Sequence, residues 1–242
     1  MKIVRARRPK IPAWLRPACL WLLCLGGGVP VEALDPSQGI HQYNIRSWGR
    51  DFGLPASAVN DLAFTSCGRL WLATSRGLVH FDGLDFERVL PGADSTYAGK
   101  LLRALAPGED GGLWFGMENA GVGYFDGHVF AAVPRQDAQL SLSTVRSVLS
   151  LGDGSALVAG YDGLDRVNLA GVGEAILSED YLDVTALYRD ARGRVWIGTA
   201  ADGLFLREGS RVEPFPVIDL EEVLVWDLVV DAEDTLWVAT QE

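Results

Sequence analysis

Short apolar runs recur along this chain in pairs whose reference residues lie twelve places apart. The pairs are Val59 and Trp71, Leu102 and Trp114, Val145 and Leu157, Val184 and Trp196, and Val225 and Trp237. Four of the five second positions, the anchors, are tryptophan. Three residues before the anchor stand Gly68, Gly111, Gly154, Gly193 and, as the one departure, Asp234; two residues after it stand Ala73, Gly116, Ala159, Gly198 and Ala239, all small. Fixed spacing inside a unit with variable spacing between units marks one supersecondary module repeated in tandem.

The first unit predicts four strands. Val59 to Phe64 is followed by a turn at 65–69, then Leu70 to Thr74, a turn at 75–77, Leu78 to Phe81, the hairpin signal Asp82-Gly83, and Asp85 to Leu90. No helical period interrupts them. Four short antiparallel strands per unit of this length define a β-propeller blade, so the fold class is all-β. About four and a half blades are present and the ring is incomplete, with units near 59–90, 102–133, 145–176, 184–215 and 225–242. The glycine before the anchor supplies a tight turn with positive φ. The small residue after it lets the next blade approach, and the tryptophan fills the gap between blades. Leu157 shows that the anchor needs bulk and hydrophobicity rather than an indole nitrogen. Ile40 to Trp48 is expected to be a lone leading strand that completes the last blade.

Composition sharpens this picture at the N-terminus. Lys2, Arg5, Arg7, Arg8, Lys10 and Arg16 precede an apolar run, Ala18 to Leu25, which breaks at Gly26-Gly27-Gly28; Val31-Glu32-Ala33 then resembles a cleavage site. Residues 1–33 therefore read as a secretory signal peptide and 34–242 as the mature chain, placed in the periplasm. The apolar run is shorter than the ~20 residues of a spanning helix. Neither Cys19 nor Cys24 follows a convincing lipoprotein box. Without the leader, Cys67 is the only cysteine, which excludes an internal disulfide and a cysteine metal site. The formal charge of the whole chain is −11 despite its basic start, so nucleic-acid binding is disfavoured.

The motifs Trp48…Gly53-Leu54-Pro55…Val59 and Gly68-Arg69-Leu70-Trp71-Leu72-Ala73-Thr74…Gly77-Leu78…Phe81-Asp82-Gly83 resemble the two-component regulator propeller repeat. Gly193-Arg194-Val195-Trp196-Ile197-Gly198-Thr199…Gly203-Leu204 and Leu236-Trp237-Val238-Ala239-Thr240 resemble it equally. The third unit departs most, lacking the tryptophan and the threonine. The resemblance covers about residues 40–242. It implies the extracytoplasmic sensor region of a bacterial receptor whose output is a histidine kinase or a diguanylate cyclase. It also implies a small-molecule or glycan ligand, attachment to the membrane only through a C-terminal region absent here, and a dimer in the full receptor. No cyclase or kinase motif occurs in the chain, and the fifth unit stops midway, which reads as a fragment. The competing readings are an exported enzyme of the streptogramin lyase type and a non-functional remnant.

Candidate chemistry is sparse. His41, His80 and His128 are scattered and form no catalytic spacing, so no catalytic residue, metal site or cofactor is assigned. The Asp-Gly pairs at 82, 126, 153, 162 and 202 fit hairpin turns better than calcium sites. The opening strand of a blade lines the central channel. Its second position reads Asn60, Arg103, Arg146, Thr185 and Trp226; its third reads Asp61, Ala104, Ser147, Ala186 and Asp227. Asn60, Asp61, Arg103, Arg146, Trp226 and Asp227 are therefore the ligand-binding candidates, two arginines and an aromatic ring suiting an anionic or sugar ligand. The alternative is that the arginines are solvated and pair with Asp61 and Asp227. The loop 91–100, with Asp94, Tyr97 and Lys100, is a further contact surface.

Overall fold

The computed structural model describes residues 2–6, 45–56, 58–89, 97, 99–133, 144–170, 173–177, 182–216 and 223–241. Residues 1–7 and 49–242 form one body; residues 8–48 form a second, of which 45–48 are described and are exposed, without strand structure. The part of the expected leading strand before Ile45, most of the leader and His41 lie outside the described residues. The described part of that leading strand is a correction: Ile45 to Trp48 pairs with nothing as a strand. Instead β1 (Lys2–Ala6) is an edge strand, and its partner comes from the far end of the chain.

Four complete blades follow. The first holds β2 (Val59–Phe64), β3 (Leu70–Thr74), β4 (Gly77–Phe81) and β5 (Phe86–Val89). The second holds β6 (Leu102–Pro107), β7 (Leu113–Met117), β8 (Gly121–Phe125) and β9 (Phe130–Ala132). The third holds β10 (Val145–Ser150), β11 (Ser155–Gly160), β12 (Gly163–Asn168) and β13 (Glu174–Leu177). The fourth holds β14 (Val184–Arg189), β15 (Val195–Thr199), β16 (Leu204–Glu208) and β17 (Arg211–Phe215). In each, sequential strands pair antiparallel. The fifth sheet holds β18 (Val225–Val230) and β19 (Leu236–Thr240), with β1 as its third strand, Lys2 opposite Thr240 and Ala6 opposite Leu236. The five sheets are the blades of an open propeller.

The turn before each anchor has the expected left-handed residue, φ 80° at Gly68 and 62° at Asp234, where aspartate tolerates what other side chains resist. The core is not inside the blades but between them. Four apolar clusters are four seams: Trp71 and Ala73 meet Leu102, Leu105 and Phe115; Trp114 meets Val145 and Val148; Leu157 and Ala159 meet Val184 and Ile197; Trp196 meets Val225 and Leu228. The small residue after the anchor is required by distance. A methyl carbon on Gly116 would lie 2.3 Å from Val145 Cγ1, and one on Gly198 would lie 2.5 Å from Val225 Cγ1.

Two expectations change. The indole nitrogen does matter in the last two blades: Trp196 Nε1 donates to Asp190 Oδ2 at 3.1 Å, and Trp237 Nε1 donates to Asp231 Oδ2 at 2.7 Å. Each aspartate also accepts turn N–H groups, from Arg192 and Arg194 or from Glu233 and Thr235. In blade 1 the same place is Thr65, and Trp71 Nε1 is buried without a partner. Tyr97, expected on a contact loop, is buried against Phe115 in the first seam.

One seam carries a misplaced charge. Asp165, 5% exposed, sits across from Val158 on the side of β11 that faces blade 2, where the equivalent residues are Val79, Gly123 and Phe205. Burial raises its carboxyl from the ordinary 3.8 to about 6, with the nearby charge of Asp162 adding to the shift.

Two outcomes are expected. Gly198→Val forces its side chain into Val225 and destabilises the fold by about 1–3 kcal/mol in denaturant titrations. Asp165 binds its proton more tightly folded than unfolded, so stability is full at acid pH and falls as pH rises from about 4 to about 6. The loss is roughly 2–3 kcal/mol. Asp165→Val removes this fall and raises the melting temperature at pH 7, measured by calorimetry across the pH range.

Candidate functional site

The pairing between opening and second strands slips at the same place in all five blades. The register shifts between Val59 and Asp61, Leu102 and Ala104, Val145 and Ser147, Val184 and Ala186, and Val225 and Asp227. Each slip leaves one extra residue on the opening strand: Asn60, Arg103, Arg146, Thr185 or Trp226. These are the five second-position residues, and each is a β-bulge. A bulge breaks the alternation of the strand and redirects the side chain it carries.

The same end of blades 1, 2, 4 and 5 gathers two further positions. The residue four after the anchor donates its backbone N–H to the residue just before the opening strand: Ser75 to Ala58, Glu118 to Leu101, Ala200 to Asp183 and Gln241 to Leu224, at 2.9 to 3.4 Å. The rim at this end is therefore built from bulge residues, turn residues and residues preceding the strands.

The bulge residues divide into two uses. In blades 1 and 4 they stitch a seam. Asn60 Nδ2 donates to the carbonyl of Leu102 at 2.6 Å, and the Thr185 hydroxyl donates to the carbonyl of Val225 at 2.6 Å. Both acceptors are the first strand residue of the next blade. Asp61 belongs to the same seam, accepting the N–H of Leu62 and, across the seam, that of Leu105, each at 2.7 Å. Burial raises its carboxyl above the usual range; the two backbone N–H groups oppose the shift and the charge of Asp227 adds to it. Asp227 accepts the N–H of Leu228 at 2.8 Å.

In blades 2, 3 and 5 the bulge residues are available at the rim. Arg103 Nη2 lies 2.9 Å from Glu118 Oε2, with both side chains partly exposed, while its Nε is buried without a partner. Arg146 Nη1 lies 3.3 Å from Asp183 Oδ2 and its guanidinium lies over the Tyr161 ring, 4.3 Å from the centroid. Asp183 is pushed up by burial, against the pull of Arg146, and its second oxygen is buried without a partner. Trp226 and Tyr161 present exposed rings. The arginines thus pair with Glu118 and Asp183, and not with Asp61 and Asp227.

Glu118, Tyr161 and Asp183 are the rim residues that the sequence reading passed over. Their signal was positional: Glu118 and Tyr161 each stand four residues after the anchor, and Asp183 immediately precedes its opening strand. Chemically the rim offers two partly exposed guanidinium–carboxylate pairs and two exposed aromatic faces. Such a set binds polar ligands by hydrogen bonds, ion pairs and stacking. The described histidines lie elsewhere, His80 against Trp71 and His128 exposed at a hairpin turn. Among the described residues no group of His, Cys, Asp or Glu is arranged to hold a metal ion. Asp82 and Asp126 use their carboxylates on turn N–H groups.

Residues 178–201 match the family model described as the two component regulator propeller, a stretch that includes β14, the turn that follows it and all of β15. No curated protein matches the chain by sequence. Among solved structures, the extracellular domain of the hybrid two component system BT3049 from B. thetaiotaomicron superposes with a TM-score of 0.63 at 19% identity, over 81% of this chain and 29% of that one. The extracellular domain of BT4673 from the same organism gives 0.53 at 20% identity, over 78% and 32%. A catalytically inactive virginiamycin B lyase from Staphylococcus aureus, solved with quinupristin, gives 0.60 at 15% identity, over 78% and 68%. The chain spans about a third of the length of the two extracellular domains it matches. At these identities the structural likeness establishes the architecture, and the sequence match supplies the repeat. The chain is a β-propeller that carries the two component regulator propeller repeat.

Proposed function

We propose that this chain is the extracytoplasmic ligand-sensing region of a bacterial signal-transduction receptor, of histidine kinase or diguanylate cyclase type. The output domain of that receptor lies outside this chain. The basic and apolar N-terminus supports export to the periplasm, and the extracellular setting of the two hybrid-system domains agrees with it. The observation that carries the reading is the rim around Arg146, on a propeller bearing the regulator repeat. There a partly exposed guanidinium is held between Asp183 and the exposed ring of Tyr161.

A ligand for this rim is a small polar molecule, a sugar or short glycan among them, that donates to Asp183 and accepts from Arg103 and Arg146. Asn60 and Asp61 serve mainly to hold the first seam at the channel, while Trp226 and Asp227 offer a ring and a charge from blade 5. The rim as described offers recognition and no nucleophile with an adjacent base, which favours a binding module over a lyase.

The test is a thermal-shift and calorimetric screen of the protein against neutral and uronic-acid oligosaccharides. At least one is expected to raise the melting temperature. Arg146→Ala is expected to weaken that binding by about tenfold to a hundredfold, the loss of one charge-assisted contact. Binding that Arg146→Ala, Arg103→Ala and Tyr161→Ala all leave unchanged would place the ligand elsewhere and sink the rim assignment. Turnover of a streptogramin by the purified protein would replace the sensor reading with the enzyme.

A further inference from the structure

The repeat position six residues before the anchor is Asp190 in blade 4 and Asp231 in blade 5, and each gives its Oδ2 to the indole nitrogen. Blade 1 fills the place with buried Thr65. In blade 2 the place is Gly108, which has no side chain to offer. Trp114 is 2% exposed, and among the described residues its Nε1 has no hydrogen-bond acceptor. Beside these two residues, at the end of the seam opposite the rim, lies a cavity of about 170 Å3. Its walls include Glu109, Asp110 and Tyr124 from blade 2 and Gly152 from blade 3. A space of that size holds several waters, or a ligand of a few non-hydrogen atoms. Glycine at 108 is what lets the polar groups line it, since a Cβ there would lie 2.7 Å from Asp110 Oδ1 and 2.8 Å from the Tyr124 hydroxyl.

The walls are acidic. Asp110 Oδ1 accepts from the Tyr124 hydroxyl and from the N–H of Gly112, so both bonds fall on one oxygen and, among the described residues, none on Oδ2. The Tyr124 bond holds the Asp110 carboxyl below its usual range, while burial and Asp110 push the Tyr124 hydroxyl well above its own. At neutral pH the first is therefore ionised and the second keeps its proton. Glu109 crosses the seam to lie against Gly152, in the space a side chain there would occupy. Among the described residues neither Glu109 nor Asp110 has a basic partner. Arg166 of blade 3 pairs with Asp153, and Arg189 of blade 4 donates to the carbonyl of Leu151.

We propose that this cavity binds a small protonated amino alcohol. Its ammonium group pairs with Glu109 and with Asp110 Oδ2, carboxylates that no basic side chain neutralises. Its hydroxyl accepts from Trp114 Nε1, the bond that Asp190 and Asp231 supply within the chain in blades 4 and 5. The two requirements together select the class. A cation without a hydroxyl leaves the indole N–H unpaired, which costs free energy. An anion meets two like charges, and a neutral alcohol leaves both carboxylates without a counter-charge. The site lies at the far end of the blades from Arg103 and Arg146, and does not depend on what the rim binds.

The experiment is isothermal titration calorimetry on the full chain at neutral pH, with ethanolamine and with ethylamine and ethylene glycol as its two halves. Ethanolamine is expected to bind with a dissociation constant in the millimolar range, as so few atoms allow. Ethylamine is expected to bind at least about threefold more weakly, and ethylene glycol to give no saturable heat. Glu109→Gln and Asp110→Asn are each expected to weaken ethanolamine binding by about tenfold. Trp114→Phe keeps an aromatic ring in the seam without the donor, and is expected to bring ethanolamine down to the affinity of ethylamine. Glu109 is exposed, so Glu109→Gln is expected to keep the parent's circular dichroism and decides the case if either other variant unfolds. Arg146→Ala is expected to leave the titration unchanged. A parent that gives no saturable heat with ethanolamine overturns the proposal. So does binding that Glu109→Gln or a folded Trp114→Phe leaves at full strength, binding that Arg146→Ala abolishes, or ethylene glycol binding as tightly as ethanolamine.

Discussion

Everything in this molecule hangs on how closely two blades can approach. A four-stranded sheet with two apolar faces cannot bury them by itself, so each blade is stable only against its neighbours. The approach is set by a notch and a wedge. The notch is Gly116 or Gly198, where a side chain would collide with the next blade; the wedge is Val145 or Val225, which fills it. Ala73 with Leu102 and Ala159 with Val184 share the other two seams. The anchor beside the notch then buries an area that makes a tryptophan worth several kcal/mol, on the order of 25 cal/mol per Å2 removed from water. Leu157 can replace it because the term is one of area. Where the indole also bonds Asp190 or Asp231, the seam gains a polar fastening that the first blade lacks.

The polar bonds follow the same logic and explain where binding groups can exist. A bulge at the second strand position frees a side chain from the ladder. The first residue of the next blade has a carbonyl within reach of it. Asn60 and Thr185 take that carbonyl, and Asp61 takes an N–H three residues further along. Arg103 and Arg146 instead reach carboxylates at the rim. One backbone device thus yields residues that stitch a seam in some blades and residues held in ion pairs at the rim in others. At the opposite end of blades 4 and 5, Arg194 plays the stitching part: buried, it bonds Asp190 in its own blade at 2.6 Å and Asp234 in the next at 3.0 Å.

Much of the fold was legible because its signals are local. The anchor spacing, the turn residue before it and the small residue after it all lie within a few positions of one another, and they mark the blades β2 to β19 inhabit. Register slips were not legible. A bulge is a relation between two strands, and nothing in Val59-Asn60-Asp61 differs in composition from an even strand. The partners of Arg103 and Arg146 were not legible either, since Glu118 lies just past β7 and Asp183 just before β14, and only the fold brings them to the arginines. The role of the indole nitrogen could have been read from Asp190 and Asp231, six residues before Trp196 and Trp237. Its absence from the other blades hid the pattern. The leading strand failed for another reason: strand propensity at 40–48 says nothing about which segment reaches the edge of β19, and β1 occupies that edge.

Asp165 shows what the seam tolerates. Its position is apolar or glycine in the other three complete blades, and an unpaired carboxylate against Val158 opposes the contact that holds blades 2 and 3 together. The residue lies in the same blade as the Arg146 rim, with Asp162 raising the carboxyl of Asp165 and that of Asp183 alike. The third blade is also the one that lost its tryptophan. Its seam with blade 4 therefore rests on Leu157, Ala159, Val184 and Ile197 without an indole, while Trp114 serves its seam with blade 2. The departures from the repeat, Leu157 and Asp165, thus fall in the blade that also carries Arg146 and Tyr161.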